Sequence, residues 1–442
     1  MKQFLLWITV LSLSTGLRAQ SMDLSLKDAV SKALAVSPEL KKLALNDEKN
    51  SHELASNRAT FLPDVAASVQ LGFNPYLPTQ RIPNFFGGNP DETIGVQFGT
   101  FQSHQAVVQL NQLIYSKAAK LGREALKKSF ELNDLSEELK TEELTYNISK
   151  LYFQIQGLQF NRKNLEANLT NLKKLYDVSK ARQDAGLGLA IDTDRISINV
   201  SNLNSQLEIL NAQEQSLMDI LNILTGNPTG TKLNLTTTEI ASESALPLNE
   251  IGNFKTKTLE LMDMQKDLIA LQADATRAQF KPTIAGNLQV GGQLQGNPID
   301  IFVMKENYSL FTGFGFQISV PLYNGNKFDY KAKSQMVDVM QIEQDKNFLK
   351  QGLEQQYVNA YQTYFSNLKQ QTEQAANIAL AKRIYNVSQD RYNQGVAPLI
   401  DVIDAQKSLT EAENLAMITA LQIKMALIDL MNIQGNIKEI IR

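Results

Sequence analysis

Two aspartates three residues apart, Asp401 and Asp404, follow a glycine and a proline in the stretch NQGVAPLIDVIDAQKSLTEAE, Asn393–Glu413. A near-twin, DAGLGLAIDTDRISINVSNLN, runs from Asp184 to Asn204 and carries Asp192 at the matching place. Carboxylates at this spacing share one face of a helix and concentrate negative charge there. Such a pair could serve as acid and base, attract a cation or line an aperture. The first turn of a helix also favours carboxylates for purely structural reasons, so capping stands as the bland reading of all three. Acid–base catalysis needs paired acids in a cleft with separated pKa values, and no such constellation stands out, which ranks a carboxylate-based hydrolase last.

The remaining composition narrows the chemistry further. The chain has 442 residues and no cysteine, which excludes disulfides, thiolate metal sites and a cysteine nucleophile. Its only histidines, His52 and His104, have no partner cluster and read as incidental rather than as ligands. We expect no cofactor and no metal. Lys and Arg (43) nearly balance Asp and Glu (46), so no basic face advertises nucleic acid. The N-terminus MKQFLLWITVLSLSTGLRAQS has one early lysine, a short apolar run and small residues around Ala19. That layout predicts a signal peptide over 1–19 and an exported mature chain, 20–442. The apolar run is shorter than the roughly 20 residues a membrane helix needs.

The acidic stretches lie between long helical patterns. Proline is absent between Pro90 and Pro228, and again between Pro321 and Pro398. Leu144, Ile148, Leu151, Ile155, Leu158, Leu165, Leu169 and Leu172 alternate steps of four and three, interrupted by Arg162. Ile196, Val200, Leu203, Leu207, Leu210, Leu217, Leu221 and Leu224 do the same, interrupted by Glu214. This seven-residue repeat predicts supercoiled helices, and Lys117 to Gln183 as one helix would run on the order of 100 Å. Adding 209 maps Tyr176, Arg182, Gly186, Asp192 and Gly226 onto Tyr385, Arg391, Gly395, Asp401 and Gly435 without a gap. The chain therefore reads as two repeats, about 20–230 and 231–442, each with a helical hairpin reversing at Gly186 or Gly395. In the second repeat Asn367, Gln371 and Gln374 replace expected leucines, suggesting a face that meets water or a wide lumen.

Four segments change to a period of two: near 62–74, 93–110, 282–296 and 308–321. Apolar residues such as Val65, Val69, Ile94, Val96, Leu288, Val290, Phe314 and Phe316 alternate with small or polar ones, predicting a sheet with one apolar face. The linkers NPYLPTQRIPNFFGGNPDE and GNPIDIFVMKENY read as loops, the aromatics in GFNPYLP and FFGG belonging to an interfacial belt or a surface loop. If the apolar face meets lipid, four strands leave open edges, and three copies would supply an even twelve. The other reading is a soluble sheet over a helical core, in an exported structural or adhesive coiled-coil protein.

The segments LSLKDAVSKALAVSPELKKL, FLPDVAASVQLGF, FKPTIAGNLQVGG, SVPLYNGNK and RYNQGVAPLIDVIDAQKSLTEAENL resemble TolC-like outer-membrane factors, over about Leu24 to Asn436. The resemblance implies an α+β membrane protein. Duplicated antiparallel coiled-coil hairpins would form a periplasmic α-barrel, and four strands per chain a trimeric twelve-stranded transmembrane β-barrel. It implies a homotrimer in outer-membrane lipid, the exit duct of a tripartite efflux pump or type I secretion system, docking a periplasmic adaptor (membrane fusion) protein and an inner-membrane transporter. Asp401 and Asp404 match the family's acidic ring at the aperture, and Asp192 and Tyr392 match positions that hold closed tips together. Ala397 stands where some members carry an arginine tying hairpin to hairpin; Arg391, Arg182 and Arg195 are the candidates to replace it.

Overall fold

The computed structural model describes residues 22–84, 91–236, 256–297 and 308–441. The expected signal peptide, the FFGG motif and most of GNPIDIFVMKENY lie outside the described residues. The chain divides into two compact units, one drawn from residues 1–44, 135–260 and 346–442, the other from 45–134 and 261–345.

The first unit is mainly helical. Its elements include β1 (Met22–Leu24), α1 (Leu26–Val36), the start of α2 (Pro38–Ala59), much of α3 (Lys117–Asp184), α4 (Ala190–Thr225), β6 (Leu233–Leu235) and the start of α5 (Lys257–Arg277), as well as most of α6 (Lys327–Asn393) and α7 (Leu399–Ile433). α3 is an unbroken 68-residue helix and α6 an unbroken 67, each followed within six residues by the helix that returns beside it. α7 contains a stretch as apolar as a membrane span, with mean hydropathy 1.4. Its apolar residues have another use here. Ile423, Leu427, Ile428, Leu430 and Ile433 pack with Ile148, Tyr152, Phe153 and Ile155 of α3, and with α1. β1 and β6 pair in parallel, and Tyr152 Oη lies 2.8 Å from the carbonyl oxygens of both Leu24 and Thr236, pinning that pair to α3.

The interruptions in the two heptad patterns answer each other. Arg162 Nε donates to Glu214 Oε2 at 2.9 Å, linking α3 to α4, and Gln159 donates to the other carboxylate oxygen at 3.0 Å. Burial opposes the Arg162 charge, yet Glu214 holds its pKa above the usual value. In the second repeat the expectation of a wetted seam fails for two residues of three. Asn367 and Gln374 are buried, and only Gln371 is exposed. Asn367 can be buried because its amide donates back to the Thr363 carbonyl at 2.8 Å.

The second unit holds a four-stranded antiparallel sheet in the order β2 (Asp64–Phe73), β5 (Gln102–Ser116), β7 (Thr283–Gly296), β8 (Tyr308–Ser319). The strand expected over 93–110 is corrected by the structure. Thr93–Gln97 (β4) instead pairs with Thr79–Pro83 (β3) in a separate two-stranded sheet, so part of the presumed loop is a strand. Gly99, with φ 115°, breaks the extended run and lets the sheet strand begin afresh at Gln102. The register puts Val65, Leu110, Leu288 and Phe314 in one row, and Ala67, Val108, Val290 and Thr312 in the next. On the opposite face Ala66, Gln109, Gln289 and Gly313 form a row, as do Asp64, Asn111, Asn287 and Gly315. The apolar face is bare: Val69 and Leu310 are each 72% exposed and Phe314 is 86% exposed. His104 lies on that face, its ring edge-on to Phe73.

Candidate functional site: the hairpin tips

Both hairpins turn by the same backbone device. Gly186 N–H donates to the Gln183 carbonyl at 3.0 Å and Leu187 N–H to the Arg182 carbonyl at 2.8 Å, with Gly186 at φ 73°. The corresponding bonds in the second hairpin run from Gly395 to Tyr392 and from Val396 to Arg391, both 3.0 Å, with Gly395 at φ 76°. A left-handed residue closing these two bonds is how a helix satisfies its last carbonyls, and only glycine adopts it without strain.

The aspartates then open the return helices. Asp192 and Asp401 sit at the third helical position after Leu189 and Pro398, neither of which makes a side-chain cap. Asp401 and Asp404 are both exposed, and Asp192 is half-buried. The first hairpin places Arg195 where the second has Asp404, so the two tips are unequal in charge.

One arginine joins the tips. The guanidinium of Arg182, on α3, donates to the Tyr392 carbonyl at 2.9 Å and to the Asn393 carbonyl at 2.6 Å, both in the last turn of α6. It also stands 4.6 Å from the centroid of the buried Tyr392 ring. The contact joins charge to the negative end of a helix and to an aromatic face. The structure thus brings Tyr392 to Arg182, while Arg195 and Arg391 are exposed. Lys180 and Asp184, on the exposed surface of the same turn, pair at 3.0 Å, and the carboxylate holds the Lys180 pKa above its usual value.

Above the tips the hairpins meet through Leu172 and Leu175 of α3, Ile196 of α4, Tyr385 and Tyr392 of α6, and Leu399, Val402 and Leu409 of α7. A polar layer interrupts this apolar contact. Asn168 Nδ2 donates to Thr410 Oγ1 at 3.0 Å, and Gln406 Nε2 donates to Asn168 Oδ1 at 2.9 Å, with Asn168 and Gln406 buried. Sequence reasoning missed this layer. Its signal was spacing, since Asn168 lies three residues after Leu165 and four before Leu172, on a second stripe beside the leucine seam.

The model of a family described as Outer membrane efflux protein matches residues 29–225 and 259–436. Among solved structures, the chain resembles the outer membrane protein VceC from Vibrio cholerae at 14% identity, with a TM-score of 0.72 over 93% of this chain and 96% of that one. The CmeC outer membrane channel of Campylobacter jejuni is similar at 15% identity and TM-score 0.72, over 93% and 85% of the two chains. The open state of the MtrE outer membrane channel of Neisseria gonorrhoeae matches at 16% identity and TM-score 0.69, over 93% and 88%. No curated protein matches the sequence significantly.

Proposed function

As the chain belongs to the outer membrane efflux protein family, we propose that three copies of it build one channel-tunnel, each giving four strands to a twelve-stranded barrel. The chain is an outer-membrane protein serving as an exit duct in efflux, with its helical part in the periplasm. It is a passive conduit rather than a catalyst. The observation that carries the trimer is the sheet: β2 and β8 are its edges, and the exposed apolar rows run across all four strands. In lipid an unpaired edge leaves backbone groups without partners, each costing several kcal/mol, on the order of the penalty for any buried orphan. Pairing β8 of one copy with β2 of the next removes every edge. A small soluble sheet in an adhesive protein is disfavoured, because that reading leaves Phe314, Phe316 and Leu310 facing water.

The tips are the inner end of the duct in this reading. Asp401 and Asp404 would ring the aperture, with Asp192 and Tyr392 in the contacts that hold the tips and Gly186 and Gly395 at the turns. Arg182 takes the tying role left open by Ala397, through carbonyls rather than through a salt bridge. A periplasmic adaptor and, through it, an inner-membrane transporter complete the export route.

The test is assembly and conduction. Amine crosslinking of the protein purified in detergent should give trimers as the largest discrete species, and the same sample should form pores in a planar bilayer. A monodisperse monomer with full β-signal would contradict the shared barrel.

A further inference from the structure

The Arg182 contact is made once within the chain, but its parts are encoded twice. Shifting Arg182 by 209 residues gives Arg391, and shifting its acceptors Tyr392 and Asn393 back by 209 gives Gln183 and Asp184. The two acceptor ends share one backbone form, with the same pair of closing bonds and glycines at φ 73° and 76°. α3 therefore presents the carbonyls of Gln183 and Asp184 as α6 presents those of Tyr392 and Asn393. Arg391 is exposed, as is Asp184. Rotating one chain into a closed ring repeats the Arg182 contact in every copy, and where the two duplicated hairpins are evenly spaced around that ring the same contact recurs from the second hairpin to the next copy's first.

We propose that Arg391 docks on the C-terminal turn of α3 in a second copy of this chain, donating to the main-chain carbonyls of Gln183 and Asp184. The inference rests on the trimeric reading above. The chemistry suits the site. The last turn of a helix carries partial negative charge, and a planar guanidinium reaches two neighbouring carbonyls at once. Asp184 adds a full carboxylate, which Asn393 lacks in the contact within the chain. Its present partner Lys180 is also solvent-exposed, and such a pair exchanges at little cost. The two contacts are not identical: Gln183 stands where Tyr392 offers its ring, so the docking between chains has a carboxylate in place of an aromatic face.

The absence of native cysteine makes the test direct. Arg391→Cys combined with Asp184→Cys, treated with a short bis-maleimide, should give covalent dimers and trimers on a denaturing gel. Arg182→Cys with Asn393→Cys should react within one chain and stay at monomer mass. All four positions but Arg182 are exposed, and the 391/184 pair leaves the core untouched. A 391/184 variant that elutes as a trimer in detergent but yields only monomer after crosslinking would overturn the docking and leave the trimer standing. Elution as a monomer would remove the trimer, and the docking with it.

Discussion

Asp401 and Asp404 are exposed at the start of α7, where Pro398 supplies no side-chain cap and the negative charge faces solution. Replacing both with alanine should lower the cation preference of the bilayer pore and weaken block by a trivalent cation. Trimer yield should hardly change, because losing a helix-terminal carboxylate costs about 1 kcal/mol. Arg195 on the companion tip tempers the field, so added salt should flatten a modest preference rather than a steep one. Unaltered selectivity and block would reduce these residues to helix-end electrostatics. At this scale the sequence showed where side chains sit better than what they touch. Arg162 and Glu214 were visible as breaks in two leucine patterns, and each break is the other's partner. Arg182 was legible only as one of three arginines, since choosing it requires knowing that the end of α6 lies within reach of α3.

The helices are the most legible elements, because a seven-residue spacing sustained over many turns has no other packing solution. The expected helix from Lys117 to Gln183 differs from the observed α3 by one residue. Short elements were less readable. β3 and β4 are only five residues each, with Pro83 ending one and Gly95 inside the other, so the antiparallel pair they form across residues 84–92 reads locally as loop. The buried Asn367 misled for a related reason: a polar residue that finds an internal partner looks, in sequence, like one that needs water. The seam itself predicts a contrast. Leu151 is 8% exposed in the main core, whereas Asp184 is exposed. Leu151→Asp should cost several kcal/mol, on the order of an unpaired buried charge, and abolish most of the trimer seen on a native gel. Asp184→Asn should leave it intact. Equal losses from the two would mean that Leu151 is not on a packed seam.

For the whole molecule, the sheet decides what kind of assembly is possible. Three of the four strands were legible from alternation, but the alternation at Ile94 and Val96 belongs to β4 of the other sheet, and the order β2-β5-β7-β8 was not legible, because the chain leaves the sheet for more than a hundred residues between β5 and β7. Leu310→Arg, on the apolar face, should destabilise the folded protein in lipid by about 2–4 kcal/mol if it lies near the bilayer centre. Gln289→Arg, on the opposite face, should fold normally and shift ion selectivity toward anions instead. Comparing urea unfolding in vesicles with bilayer recordings would separate the two, and a fold defect from Gln289→Arg alone would invert the assignment of faces. The polar rows of glutamine and asparagine have one more implication. Among the paired residues of the four strands Asp64 is the sole carboxylate, and there is no lysine or arginine. Apart from Asp64 at one end, this wall of neutral amides is wetted yet sets up little Donnan enrichment along its length. Solutes of either valence would meet the same hydrogen-bonding surface, leaving the barrel indifferent to sign and discrimination to whatever guards its far end.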